Sequence, residues 1–117
     1  GEKADQAIIS ELVSKFENVD GFIFCAPEYN AGIPPILTNV ITWITVSTKN
    51  WRDAFNDKVA LIASHSGGVG HWFFSSFRDQ LEYMGCTVYN RSIAVHRNAE
   101  FNPESVARIL TGFKKLF

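Results

Sequence analysis

The chain has 117 residues, the size of one globular domain able to bury about two-thirds of its unfolded surface. Its apolar share of 46%, charged share of 20% and net charge of −1 are those of an ordinary soluble protein. They supply no basic patch for nucleic acid, no apolar run approaching a membrane-spanning helix and no visible signal peptide.

In chain order, Ile8, Ile9, Leu12, Val13 and Phe16 form a helical stripe over residues 3 to 17. Residues 20 to 26 are a continuous apolar strand, the pattern of a parallel-sheet strand covered on both faces. Pro34 and Pro35 open a helix, where missing N–H groups cost nothing, with Leu37, Val40, Ile41 and Ile44 facing inward. Residues 58 to 64 are the next strand. Gly67 to Gly70 lead into a helix carrying Phe73, Phe77, Leu81 and Met84, stopped by Gly85. Residues 86 to 95 form a last strand in two pieces, Cys86 to Tyr89 and Ser92 to Val95. Asn102 and Pro103 then cap a helix with Val106, Ile109, Leu110, Phe113 and Phe117 along its stripe. Alternating strands and helices predict an α/β fold with a parallel sheet. Cys25 and Cys86 lie in apolar strands, so two buried free thiols in a reducing, cytoplasmic setting are expected rather than a disulfide.

The segment Pro27-Glu28-Tyr29-Asn30 carries most of the functional information. A buried strand empties there into a polar turn, and ligands of open parallel sheets sit beyond the carboxyl ends of the strands. Tyr29 offers an aromatic face and Asn30 an amide edge, both suited to a flat, hydrogen-bonding ring. Spacing alone favours a plain strand-to-helix connection, since most such connections are only connections. Other signals are weaker. Gly68-x-Gly70 fails as a dinucleotide fingerprint because the third glycine would fall at Phe73. His65, His71 and His96 lack metal-ligand spacing. Ser64 and Ser66 beside His65 lack the Gly-x-Ser-x-Gly context of an esterase. Arg78 is placed either to meet a substrate phosphate or to lie on a solvated helix face.

Pro27-Glu28-Tyr29-Asn30, the run Pro34-Pro35-x-Leu37-x-Asn39-x-Ile41-x-Trp43, the strand Lys58 to Ser64, the Gly67-Gly68-Val69-Gly70 loop and Phe77-Arg78-x-x-Leu81-x-x-Met84-Gly85-Cys86 occur in one order. Together they resemble the NADPH-dependent FMN reductase family over roughly residues 5 to 117. The resemblance implies a flavodoxin-like three-layer sandwich, here strands three to five of the order 2-1-3-4-5. It implies FMN as cofactor, NADPH as hydride donor, a quinone, flavin or similar small molecule as electron acceptor, and a homodimer or higher homo-oligomer built partly on the Pro35 helix. It assigns no catalytic side chain. Pro27, Glu28, Tyr29 and Asn30 would lie against the ribityl chain and one ring edge. Ser64, Gly67, Gly68, Gly70 and His71 would approach the pyrimidine side, with the positive end of the following helix favouring the reduced ring.

The chain departs from the family pattern in three places. Nothing matches the Gly-Ser-x-Arg-x-x-Ser phosphate loop, so residues 1–117 are expected to be a single domain incomplete at its N-terminus, opening inside a helix. His71 stands where a second glycine is common, and Thr42 where Asp is common before the Trp. Two readings result: a flavin-dependent NAD(P)H oxidoreductase, or a flavin-free domain acting in packing or partner binding.

Overall fold

The computed structural model describes residues 5–117. Four helices and four strands alternate: α1 (Gln6–Glu17), β1 (Gly21–Cys25), α2 (Pro35–Ser47), β2 (Val59–Ser66), α3 (His71–Tyr83), β3 (Thr87–Val88), β4 (Ile93–His96) and α4 (Pro103–Lys114). All strand pairings are parallel. β1 pairs with β2 from Gly21–Val59 to Cys25–Ala63. The other edge of β2 pairs first with β3 and then with β4, so the expected last strand is two short pieces along one neighbour. The expected start at Lys3 lies outside the described residues. α1 begins at Gln6, because the Asp5 carboxylate accepts from the Ala7 and Ile8 amides.

The two sheet faces are unequal. On one, α1, α2 and α3 enclose Phe24, Ala60, Ile62, Phe55, Phe73, Phe77 and Leu81. Phe16, Phe22, Phe24 and Phe55 meet there with ring centroids 4.9–6.4 Å apart. Such pairs each add about 0.5–1.5 kcal/mol beyond area burial. On the other face α4 alone packs, through Ile109 and Phe113, on Leu61, Ala63 and Ile93. Helices on both faces give the expected three-layer sandwich.

The unequal cover corrects two expectations. β1 is not buried on both faces: Phe24 points into the core, but Ile23 is 51% exposed. α4 sits over β2 and β4 and stops short of β1. Cys25 lies on that same open side and is exposed, whereas Cys86 is buried and donates to the Phe55 carbonyl at 3.3 Å. Burial pushes the Cys86 thiol up to about 11, with the nearby Lys58 ammonium opposing the rise. Lys58 is itself buried and donates to the Phe16 carbonyl, tying the end of α1 to the start of β2. Burial lowers its pKa against the opposing pull of Glu17 and Asp20.

Helix ends follow the sequence closely. Gly85 takes φ +100° after α3, and a Cβ there would collide with Asn56. Asn102 accepts from the Ser105 amide to start α4, with Pro103 in the first turn. Phe117 lies beyond α4 and is exposed, although it meets Phe113 edge-on. Arg78 does neither task expected of it. It donates to the carbonyls of Val88 and Tyr89, the latter at 2.8 Å, and pins the end of β3 to α3.

The start of α3 is unusual. Its N-cap, Gly70, has φ 75° and no side chain to cap with. The cap comes from Glu28, whose Oε2 accepts from the Phe73 amide at 2.9 Å. A carboxylate on a helix N-terminus satisfies an orphan donor and opposes the positive helix end.

Two measurements test this description. A disulfide reagent at neutral pH should modify one thiol, Cys25, within minutes, and the second only after denaturation, because the thiolate is the reactive form. Two fast-reacting thiols in the native chain would contradict the burial of Cys86. Glu28→Ala should lose about 1–2 kcal/mol in urea unfolding, as other N-cap removals do, and Glu28→Gln distinctly less. Equal losses in the two variants would show that the carboxylate is not acting as a cap.

Candidate functional site

Three loops leave the carboxyl ends of the parallel strands: 26–34 after β1, 67–70 after β2 and 97–102 after β4. The Glu28–Phe73 bond ties the first to the second, although 45 positions separate the two residues.

The first loop contains a tight hairpin. Tyr29 and Gly32 exchange both backbone hydrogen bonds, at 3.1 and 2.9 Å. Asn30 and Ala31 between them have φ 50° and 60°, the double positive φ of a primed turn. Asn tolerates that region; Ala rarely occupies it, so the turn stores strain of roughly 1–3 kcal/mol at this point. The hairpin lifts Tyr29 and Asn30 into solvent, and Tyr29 is 55% exposed. Pro27 and Glu28 below it are half-buried.

The second loop begins at Ser64 on β2. Its side chain is only 5% exposed, and Oγ has no hydrogen-bond partner among the described residues. A buried hydroxyl without a partner costs on the order of 1–3 kcal/mol, and here it is enclosed on the core side of β2. Ser66 Oγ donates to the Gly68 carbonyl at 3.2 Å and folds the loop back. A Cβ at Gly68 would meet nothing within 4 Å, so that backbone is open to close approach. His71 is exposed at the head of α3, edge-on to Trp72 at 5.5 Å. The helical geometry leaves the His71 and Trp72 amides without intrahelical acceptors.

A groove of about 520 Å³ runs from these loop bases down the open side of β1, lined by Ile23, Cys25, Pro27, Ser64, His65 and Leu110 among others. Of the nine expected site residues, Pro27 and Ser64 line this groove. Tyr29, Asn30, Gly67, Gly68, Gly70 and His71 do not line it; they lie in the loops beyond β1 and β2 and at the head of α3, a rim of loops that Glu28 ties together. Trp51 is elsewhere: it stacks on Tyr83 with the Arg52 guanidinium 4.4 Å above its ring, on the segment before β2.

One residue of the rim was not legible in the sequence. Arg97, just past β4, places its guanidinium against Gly67. Only the pairing of Ser66 with His96 brings the two level, and no local sequence signal encodes that register.

These features accommodate a flat, polar cofactor. Gly68 leaves backbone open, and Tyr29 and Asn30 offer an aromatic face and an amide edge, while the Ser64 hydroxyl is enclosed on the core side of β2.

The comparisons with known proteins agree with this architecture. The family model described as NADPH-dependent FMN reductase matches residues 1–100. An NAD(P)H:quinone oxidoreductase of Solanum tuberosum is 35% identical over 63 residues, which are 54% of this chain and 30% of that protein. An oxidoreductase from Corynebacterium diphtheriae has the same fold, with TM-score 0.77 at 18% identity over 97% of this chain and 62% of its own. The NAD(P)H:(acceptor) oxidoreductase FerB of Paracoccus denitrificans gives TM-score 0.72 at 22% identity, over 97% of this chain and 66% of its own. The chain thus spans about a third of the plant relative and under two-thirds of each of these structures. Matched over 100 of its 117 residues, the chain belongs to the NADPH-dependent FMN reductase family.

Proposed function

We propose that this chain supplies the ring-binding part of a flavin-dependent NAD(P)H oxidoreductase, acting as one domain over residues 1–117 in the cytoplasm. The observation that carries the reading is the convergence of two loops, Pro27–Asn30 and Ser64–His71, at the carboxyl ends of neighbouring parallel strands, held together by Glu28. Bound FMN would supply the hydride chemistry between NADPH and a quinone, a flavin or a similar small acceptor.

The protein's own share is binding and environment. Tyr29 and Asn30 contact the cofactor from the hairpin, and the Tyr29–Gly32 backbone bonds keep that hairpin in one shape despite the strain at Asn30 and Ala31. Pro27 stiffens its base. Ser64 begins the second loop, and Gly67, Gly68 and Gly70 allow backbone to approach closely. His71 and its amide stand at the helix head. Glu28 acts by holding the two loops in register.

Self-association belongs to the same proposal. β1 pairs on one side only among the described residues, and Ile23 beside that edge is half-exposed. α2 carries the exposed Ile36 and Val46 on its outer side, near the half-buried Trp43. Open strand edges and apolar patches are sites of pairing.

Titration of the chain with FMN, followed by quenching of flavin fluorescence, tests the binding reading. Tyr29→Ala and Asn30→Gly should each weaken FMN roughly tenfold, equivalent to about 1.4 kcal/mol, with Trp51→Ala changing it less than about twofold. Asn30→Gly keeps the positive φ, so its loss reports the amide rather than the turn. Equal effects at all three positions would remove the ring site from these loops. Sedimentation equilibrium over about a hundredfold range of concentration should show a dimer or larger species, because association follows mass action. Ile36→Lys should dissociate it if α2 is the contact, and Ile23→Lys if the edge is. A monomer throughout would overturn both.

A further inference from the structure

Arg97 is held at the site by backbone rather than by side-chain packing. The β2–β4 pairing ends with Ser66 opposite His96. One further bond, from the Arg97 amide to the Ser66 carbonyl at 3.0 Å, carries the register past the strand and sets Arg97 beside Gly67. The guanidinium then lies against Gly67, where an added Cβ would stand 3.3 Å from Nη2. Glycine there lets the charged fork reach the loop backbone.

Charge at this rim is scarce. Of the loops at residues 26–34, 67–70 and 97–102, only the last contains a Lys or Arg, and Arg97 is that residue. The ion pairs among the described residues are Lys15–Glu11 and Arg78–Glu82, so Arg97 shares its charge with neither Glu28 nor the exposed Glu100 of its own loop. The head of α3 is the other source of positive potential, but the Glu28 carboxylate sits on it and offsets it. A helix end carries only about half a charge, whereas an arginine carries a full one at any working pH.

Resting on the flavin reading above, we infer that Arg97 is the residue that answers the negative charge gained by the flavin on reduction. A hydride brings two electrons and one proton, hence one net negative charge, and the donor leaves as the oxidised nicotinamide. The guanidinium is exposed, and its position beside the Gly67 loop, set by the backbone bond to Ser66, favours the site in that more negative state. It does little for the neutral oxidised ring. Arg97 therefore sets the redox poise of the site more than its affinity for oxidised FMN.

The test compares wild type, Arg97→Gln and Arg97→Lys with FMN bound. Two quantities are read: the dissociation constant of oxidised FMN from fluorescence quenching, and the two-electron midpoint potential by equilibration with a redox dye. Arg97→Gln should change oxidised FMN binding less than about threefold and shift the midpoint about 30 mV more negative, a tenfold loss of preference for the reduced form. Arg97→Lys keeps the charge and should recover at least half of that shift. A merely structural role predicts weaker oxidised FMN binding, a lower melting temperature and no recovery with Lys; that pattern, or an unchanged potential in Arg97→Gln, overturns the assignment. Failure of the wild-type chain to quench FMN overturns the flavin reading itself, and this assignment with it.

Discussion

The hydrogen bond from the Phe73 amide to the Glu28 carboxylate joins the loop after β1 to the head of α3. Gly70 leaves that helix without a cap of its own, so the capping group is imported from the neighbouring strand's loop. The substitution has two consequences. The Pro27–Asn30 hairpin cannot move independently of the Ser64–His71 loop, because separating them strands a helix N–H and a carboxylate together. The helix end also loses part of its positive potential to the acid that caps it. The junction of the two loops and the potential at the head of α3 are thus set by one contact.

That contact explains why strain is tolerated nearby. Asn30 and Ala31 both hold positive φ, and Ala has no side-chain compensation for it. A turn of this kind persists when its surroundings over-determine it. Here the Tyr29–Gly32 backbone bonds close the hairpin, Pro27 stiffens its base and Glu28 anchors it. The same logic applies to Ser64, whose buried hydroxyl is left unpartnered at the foot of the second loop. Both features are local losses of stability at the carboxyl ends of neighbouring strands, with the aromatic core around Phe55, Phe73 and Phe77 providing the offset.

The sheet itself is finished on one side only. Three helices cover the Phe22–Phe24 face, and α4 covers part of the other. The uncovered strip beside β1 presents Ile23 and Cys25, and continues into the groove beneath the rim. The exposed edge and the apolar strip lie side by side on β1, the kind of surface at which pairing occurs.

The sequence by itself determined the helices, the parallel strands and the order of both, since apolar periodicity, prolines and caps act within a few residues of each other. Asp5, Asn102, Pro103 and Gly85 each act where local chemistry places them. It also marked the two loops, because the motifs that carry the family resemblance sit in them. The tertiary structure alone decided what each side chain does there. An apolar run such as Phe22 to Ala26 reads as buried on both faces, yet which face is covered depends on where α4 lands. The resemblance gives Glu28 as a cofactor contact, but that it also caps a helix through Phe73, 45 positions later, is visible only in the fold. Arg97 carries no local signal at all, since its nearness to Gly67 follows from a strand register, a relation between segments that no single segment encodes.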